Sequence, residues 1–139
     1  MPFAWAKKIP MAEKNLIEAV NMALAHELER DESVVVLGED VGANGGVFRA
    51  TAGLQQRFGP DRVIDTPLAE TAIAGVAVGM AAAGLKPVAE IQFTGFIYPT
   101  FDHMVNHASR LRHRTRGRLT CPMVLRSGKH VEATQHGCR

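Results

Sequence analysis

The fold of this chain is decided by Asp65-Thr66-Pro67-Leu68-Ala69-Glu70 and by the small-residue run that continues to Gly84. Val63 and Ile64 precede this stretch and predict the end of a buried strand. Thr66 can cap a helix through its hydroxyl, and Pro67 suits the first helical position because it has no N–H to leave unpaired. The stretch therefore predicts a strand, a tight turn and a helix, a junction at which ligands often bind in open α/β sheets.

The helix predicted after this turn is unusually apolar. Glu70 falls in its first turn, where a carboxylate complements the helix dipole whether or not it has another function. The residues from Gly75 to Gly84 are almost without polar groups, and a helix that is apolar all round is expected to be buried on all sides. Gly75 and Gly79 are four residues apart, so we expect another element to approach the helix closely there. The run is too short to span a membrane.

Apolar strands and amphipathic helices alternate along the rest of the chain. Helices are predicted over 12–30, 51–58 and 97–115, and strands over 34–37, 62–65, 87–93 and 122–125. In the last helix, Phe101, Val105, Ala108 and Leu111 are predicted to point inward. The alternation predicts an α/β fold with a parallel sheet flanked by helices.

Composition limits the classes of partner. The chain has 139 residues and a net charge of +2, which gives no strong case for nucleic acid or membrane partners. Cys121 and Cys138 form neither a metal-ligand spacing nor a disulfide framework, which favours a reducing cytoplasm. No signal peptide is evident, because Lys7-Lys8 precedes a charged helix rather than an apolar segment.

Three motifs allow a functional interpretation, but each is better explained as a structural or surface feature. The glycine-rich loop 38–46 lacks both the dinucleotide fingerprint and the P-loop ending, so a structural turn is expected. His103 and His107 could form a metal pair on one helix face, but no third ligand has a recognisable spacing, which favours a surface or interface pair. The arginines that alternate from Arg110 to Arg118 favour a helix C-terminus or a subunit interface.

Many short motifs, in one order and spacing, resemble one family. They are Gly38-Glu39-Asp40-Val41-Gly42, Gly46-Val47-Phe48, Gly53-Leu54, Phe58-Gly59-Pro60, Arg62-Val63, Asp65-Thr66-Pro67-Leu68 with Glu70, Gly75, Gly79, Gly84, Pro87-Val88-Ala89-Glu90-Ile91-Gln92-Phe93, Asp102 and Pro122. Together they resemble the beta subunit of the thiamine-diphosphate-dependent dehydrogenase component of 2-oxo acid dehydrogenase complexes. The resemblance implies a transketolase-like pyrimidine-binding fold, apparently truncated.

The resemblance implies a role for four residues of this chain. Glu70 matches the catalytic glutamate that hydrogen-bonds the aminopyrimidine ring nitrogen of thiamine diphosphate. Glu39 matches a second acid near that site, Phe96 the aromatic residue stacked on the pyrimidine, and Leu68 a residue whose backbone lines the same pocket. Glu70 must hold a proton near neutral pH, and burial beside Glu39 would favour the protonated form.

The resemblance also implies that the chain works with partners. The motif that holds magnesium and the diphosphate in this superfamily is missing here and lies on the alpha subunit in the family. The expected partners are therefore an alpha subunit, a second beta subunit and a lipoyl-bearing acyltransferase. The reaction implied is decarboxylation of pyruvate or a branched-chain 2-oxo acid, or cleavage of acetoin, with acyl transfer to lipoyl.

The match predicts three segments. Residues 1–11 are a lead-in, residues 12–126 the pyrimidine-binding α/β domain, and residues 127–139 an atypical tail. His130 or His136 could stand near a family active-site histidine, but their register does not match it, so the resemblance assigns them no role. The family's second domain is missing, so the isolated chain is expected to be inactive. The alternative is a truncated, non-catalytic domain that only self-associates or binds a partner.

Overall fold

The computed structural model describes residues 13–128, which form an α/β fold around one parallel sheet. The four strands are β1 (Val34–Gly38), β2 (Val63–Asp65), β3 (Lys86–Phe93) and β4 (Val124–Gly128). The α-helices are α1 (Leu16–Arg30), α2 (Leu54–Phe58), α3 (Glu70–Ala82) and α4 (Ser109–Arg114), and a π-helix spans His103–Ala108. The predicted fold class is confirmed.

The strand order is β2-β1-β3-β4, so β1 lies inside the sheet with parallel neighbours on both sides. All five of its residues are buried, which explains its continuous apolar sequence. Gly38, the last residue of β1, is in register with Asp65 of β2 and Glu90 of β3. The carboxyl ends of three neighbouring strands therefore meet at one edge of the sheet.

Two apolar clusters cover the two faces of the sheet. On one face, Leu24 and Leu28 of α1 pack with Leu54 of α2 against valines of β1 and β2. On the other face, Ile73 and Ala77 of α3 pack against the remaining side chains of β1 and β3. α1, α2 and α3 thus bury apolar side chains on the sheet, and the loops that carry polar groups remain at the edge.

The start of α3 differs from its prediction. The helix begins at Glu70, with Ala69 at the N-cap position and no side-chain cap, so the predictions for Thr66 and Pro67 were wrong. The Thr66 backbone N–H instead donates to the Gly38 carbonyl oxygen at 2.9 Å, which ties it to β1. Its hydroxyl oxygen is buried and has no hydrogen-bond partner among the described residues. Because the backbone at Thr66 pairs with β1, the chain stays extended beyond the point where Thr66 and Pro67 predict the helix to begin.

α3 is also less buried than its composition predicts. Ile73, Ala74, Ala77 and Ala81 are buried, but Val76 is 49% exposed and a Cβ added at Gly79 would meet nothing within 4 Å. Gly75 does permit a close approach, because a Cβ there would lie 3.1 Å from the His103 ring. One face of α3 is therefore packed and the opposite face is uncovered.

The single helix predicted over 97–115 is divided into several segments. A 3-10 turn over Tyr98–Thr100 leads into a helix interrupted by the π-helix, and α4 ends at Arg114. Phe101 is 66% exposed and Val105 is 37% exposed, so the prediction that they point inward was wrong. Because the π-helix has more residues per turn than an α-helix, residues before and after it do not share the face that they would share on a continuous α-helix.

The observed ends of other helices and strands differ from the predicted ones by a few residues. α1 starts at Leu16 because Asn15 forms a capping box with Glu18, and β4 runs to Gly128 rather than ending at Leu125. Residues 1–11, His130 and His136 lie outside the described residues. Between residues 13 and 128, no helix is long and apolar enough to cross a membrane.

Candidate functional site

Three of the four predicted site residues follow neighbouring strands at one edge of the sheet. Glu39 comes directly after β1, Glu70 opens α3 shortly after β2, and Phe96 ends the 3-10 turn that follows β3. Glu39 and Glu70 are half-buried, and Phe96 is 51% exposed. Leu68, in the segment between β2 and α3, is 70% exposed. The sheet edge thus presents two acids, an aromatic ring and an uncovered apolar side chain.

Hydrogen bonds hold the loop after β1 to the segment after β2. The Gly42 N–H donates to the Asp65 carboxylate at 2.6 Å. The Thr66 N–H donates to the Gly38 carbonyl oxygen, on the other side of Glu39. Because both loops are tied together close to Glu39, the acids that they carry have little freedom to separate.

The two acids affect each other electrostatically. Burial raises the pKa of Glu39, and the neighbouring carboxylates of Asp40 and Glu70 raise it further. Repulsion from these carboxylates favours retention of a proton on Glu39. A carboxyl group donates a hydrogen bond when protonated and accepts hydrogen bonds when ionised.

Aromatic rings extend from Phe96 along the edge of the sheet. Phe93 meets Phe96 edge-to-face at 5.9 Å between ring centroids, and Phe48 meets Phe93 in the same way at 6.2 Å. Edge-to-face packing leaves the face of the outer ring open to a flat ligand. Phe93 thus supports Phe96 from behind.

The loop after β1 is conformationally strained. Asp40, Phe48 and Arg49 have positive φ angles of 57°, 54° and 63°, an uncommon conformation for residues other than glycine. This loop and β3 border an open cleft of about 400 Å³, lined by Asp40, Asn44, Gly46, Val47, Phe48, Arg49 and Gln92. Strained loops of this kind concentrate at functional sites, where the surrounding contacts maintain them.

A buried ion pair lies beneath this loop. Glu90 of β3 is fully buried, and its carboxylate pairs with the Arg126 guanidinium of β4. It also accepts the Val47 N–H at 3.3 Å. Burial raises the pKa of Glu90, and Arg126 opposes that change. Sequence reasoning missed this pair: an acid in the middle of an apolar strand indicates a buried charge, but it does not identify the residues that contact it.

The two histidines lie away from these acids. The His103 ring packs on Gly75 of α3, and its centroid is 5.3 Å from that of His107. His107 lies 3.4 Å from the Asp102 carboxylate, which also accepts a hydrogen bond from Asn106. Within residues 13–128 no group of three or more His, Cys, Asp or Glu side chains is arranged to hold a metal ion.

Comparison with known protein families identifies the family to which this chain belongs. The family model described as the pyrimidine-binding domain of transketolase matches residues 12–139. The chain belongs to the transketolase pyrimidine-binding domain family. The matched range continues past Arg126, where the motifs of the sequence analysis end.

Curated relatives in this family are beta subunits of 2-oxo acid dehydrogenases. The chain is 57% identical over 128 residues to the pyruvate dehydrogenase E1 component subunit beta of Acholeplasma laidlawii, covering 91% of this chain and 39% of the relative. It is 54% identical to the same subunit of Bacillus subtilis and 50% identical to the 2-oxoisovalerate dehydrogenase subunit beta of that organism, each over 84% of this chain and 36% of the relative. The chain thus spans less than half the length of these relatives.

The residues at the sheet edge fit the aminopyrimidine that names the family. Half-buried Glu39 and Glu70 have the oxygen atoms that would hydrogen-bond ring nitrogens, and the exposed ring of Phe96 has the flat apolar surface on which a pyrimidine would stack. Sequence reasoning missed Asp65 and Glu90, the acids that hold the loop after β1. Both act through backbone N–H groups of distant residues, which no local pattern reveals.

Proposed function

We propose that this chain binds the aminopyrimidine half of thiamine diphosphate as part of the beta component of a 2-oxo acid dehydrogenase. The observation that carries the proposal is that Glu39 and Glu70, from loops after neighbouring strands, lie close enough for their charges to interact. The high identity to pyruvate and 2-oxoisovalerate dehydrogenase beta subunits supports the same function.

Each site residue has a defined task in this proposal. Glu70 hydrogen-bonds the pyrimidine ring nitrogen and holds the proton that activates the cofactor. Glu39 disfavours a second negative charge beside Glu70. Phe96 stacks on the ring, while the backbone at Leu68 lines the pocket, whose uncovered side is where a partner would complete it.

The cofactor supplies the electron sink for decarboxylation of a 2-oxo acid. This chain orients the pyrimidine and maintains the protonation that the chemistry needs. Magnesium and the diphosphate are assigned to an alpha subunit, and a second beta subunit and a lipoyl-bearing acyltransferase complete the proposed assembly. Because this chain would hold half of the site, we expect it to be inactive alone, and we propose a cytoplasmic location for the assembly.

The test measures proton exchange at the thiazolium C2 atom. The 139-residue chain is mixed with the alpha subunit of a bacterial pyruvate dehydrogenase, thiamine diphosphate and magnesium, and loss of the C2 proton in deuterated water is followed by NMR. Glu70→Gln is expected to slow exchange by about 100-fold or more, because it removes the acid from the ring nitrogen. Glu32→Gln, at an exposed acid between α1 and β1, is the matched control and should leave exchange unchanged.

The outcome separates the proposal from its alternative. Near-normal exchange in Glu70→Gln would refute the assigned role of Glu70. A complex that forms without accelerating exchange in the unaltered chain would instead support a non-catalytic domain that only binds a partner. Adding pyruvate or 2-oxoisovalerate to the same mixture compares these two candidate substrates by the carbon dioxide released, and adding acetoin, which has no carboxyl group, tests the third by the acetaldehyde released.

A further inference from the structure

The buried Glu90 lies at the centre of the contacts that surround Glu39. Its carboxylate accepts the Val47 N–H at 3.3 Å, and a Cβ added at Gly46 would lie 3.1 Å from the same oxygen. Glu90 therefore contacts the loop after β1 at two consecutive residues. Arg126 holds the other carboxylate oxygen and fixes the orientation of the Glu90 side chain.

Two hydrogen bonds at consecutive backbone N–H groups link this carboxylate to Asp40, the residue after Glu39. The Val47 N–H is held by Glu90, and the preceding N–H, of Gly46, donates to the carbonyl oxygen of Asp40 at 2.7 Å. Asp40 follows Glu39 directly and has a positive φ of 57°. An aspartate keeps this backbone conformation only while the surrounding contacts maintain it.

The other neighbour of Glu39 is also fixed by Glu90. Gly38 is in register with Glu90 in the sheet, and a Cβ added at Gly38 would lie 2.9 Å from the Glu90 Cβ and carbonyl oxygen. The backbone on both sides of Glu39 is thus in contact with Glu90 or with a residue that Glu90 holds.

We propose that Glu90, oriented by Arg126, is a positioning residue that keeps Glu39 against Glu70. Glu90 is fully buried, so it acts on a ligand only through the loop that it holds. The inference rests on the proposed function for the importance of Glu39 to a cofactor. The positioning itself is a property of the free chain and is testable without cofactor or partner.

The test compares two double variants that differ at residue 90. One keeps a side-chain oxygen that can accept the Val47 N–H, and the other does not. Glu90→Gln with Arg126→Met removes both charges and keeps an oxygen at this place. Glu90→Leu with Arg126→Met removes both charges and the acceptor. Replacing a buried ion pair by apolar groups of similar size often leaves a protein folded, so both variants are expected to fold.

Side-chain carboxyl NMR of the 139-residue chain follows the titration of Glu39. In the glutamine variant the pKa of Glu39 should stay raised, because Glu39 keeps its burial and its position beside Asp40 and Glu70. In the leucine variant it should fall toward the ordinary glutamate value of about 4.3, and amide exchange at Gly46 and Val47 should become about tenfold faster. Equal Glu39 titrations in the two variants would overturn the proposal.

A stability control separates positioning from general loosening. Met80→Ala opens the core on the other face of the sheet, ten residues along α3 from Glu70, and should lower the melting temperature without changing the titration of Glu39. A Glu39 titration that follows stability in this variant too would count against the proposal. If neither double variant folds, amide exchange in the unaltered chain provides the test. The Gly46 and Val47 amides should then exchange more slowly than the Phe48 amide, whose N–H has no acceptor within residues 13–128. Equal exchange at the three amides would contradict the proposal.

Discussion

At the scale of single residues, the candidate site contains four carboxylates that form two pairs with different contacts. Glu39 and Glu70 face the sheet edge, whereas Asp65 and Glu90 accept backbone N–H groups from the loop after β1. In the proposed site, the first pair would bind the cofactor, and the second pair holds the loop that carries Glu39. A short stretch of the sheet edge thus contains two acids proposed for chemistry and two that bind the backbone.

Asp31 provides a pH-dependent test at this scale. Hydrogen bonds from the Lys86 ammonium at 2.5 Å and from Ser33 hold the pKa of Asp31 well below its usual range. A carboxyl whose pKa is lowered by folding stabilises the protein above its unfolded pKa, and this contribution disappears as the pH falls. Between about pH 5 and pH 3, the unaltered chain should therefore lose more stability than Asp31→Asn.

Urea unfolding midpoints at several pH values measure this difference. Asp31→Asn should be less stable than the unaltered chain near pH 7, and the difference between the two curves should shrink as the pH falls from 5 to 3. Glu32→Gln is the matched control, because it removes one exposed negative charge from the neighbouring residue. Parallel curves for the unaltered chain and Asp31→Asn would show that the Lys86 contact contributes nothing to folding.

At the scale of elements, α3 has one packed face and one uncovered face. Gly79 lies on the uncovered side, where an added methyl group would meet no atom within 4 Å. Gly79→Ala should therefore stabilise the isolated chain by about 0.5–1 kcal/mol, because glycine costs more backbone entropy in a helix. Thermal unfolding checks this, and a loss of stability would contradict the open environment of Gly79.

Gly75→Ala is the paired comparison. A Cβ at Gly75 would lie 3.1 Å from the His103 ring, so the ring must shift to accommodate it. We expect Gly75→Ala to be less stable than Gly79→Ala, since the same helix-propensity gain is offset by the displaced histidine.

The elements also show what the sequence could and could not predict. The apolar run of β1 and the periodicity of α1 predicted their identities, since buried strands and amphipathic helices leave local patterns. Thr66 and Pro67 suggested a helix start that the structure does not use, because hydrogen bonding to β1 outweighs local propensity. The resemblance supplied the candidate site residues, and contacts between distant loops, such as Glu90 with Val47, had no local signal.

At the scale of the whole molecule, uncovered apolar side chains gather on one region. α3 contacts both the 3-10 turn over Tyr98–Thr100 and the π-helix. The exposed apolar side chains of these segments and of the adjoining loops form what we name the outer apolar surface: Leu68, Val76, Phe96, Tyr98, Phe101 and Val105. Large exposed apolar patches are typical of protein interfaces.

Charge placed on the outer apolar surface should weaken association. Val76→Lys with Phe101→Asp is expected to reduce binding of the chain to itself or to an alpha subunit by at least about tenfold, because burying such side chains drives association. Sedimentation velocity measures the change. Leu16→Lys is the matched control, since Leu16 is 80% exposed on α1 and lies outside this surface. Equal association by all three chains would show that the interface lies elsewhere.

The π-helix has an evolutionary consequence. A wide turn of this kind accommodates one residue more than an α-helical turn, so it offsets everything after it by about 100° around the helix axis. The arginines of α4 therefore point in directions that a chain without the extra residue would not reach. Gain or loss of a single codon within His103–Ala108 could redirect this cationic segment at once, while leaving the sheet and its acids untouched.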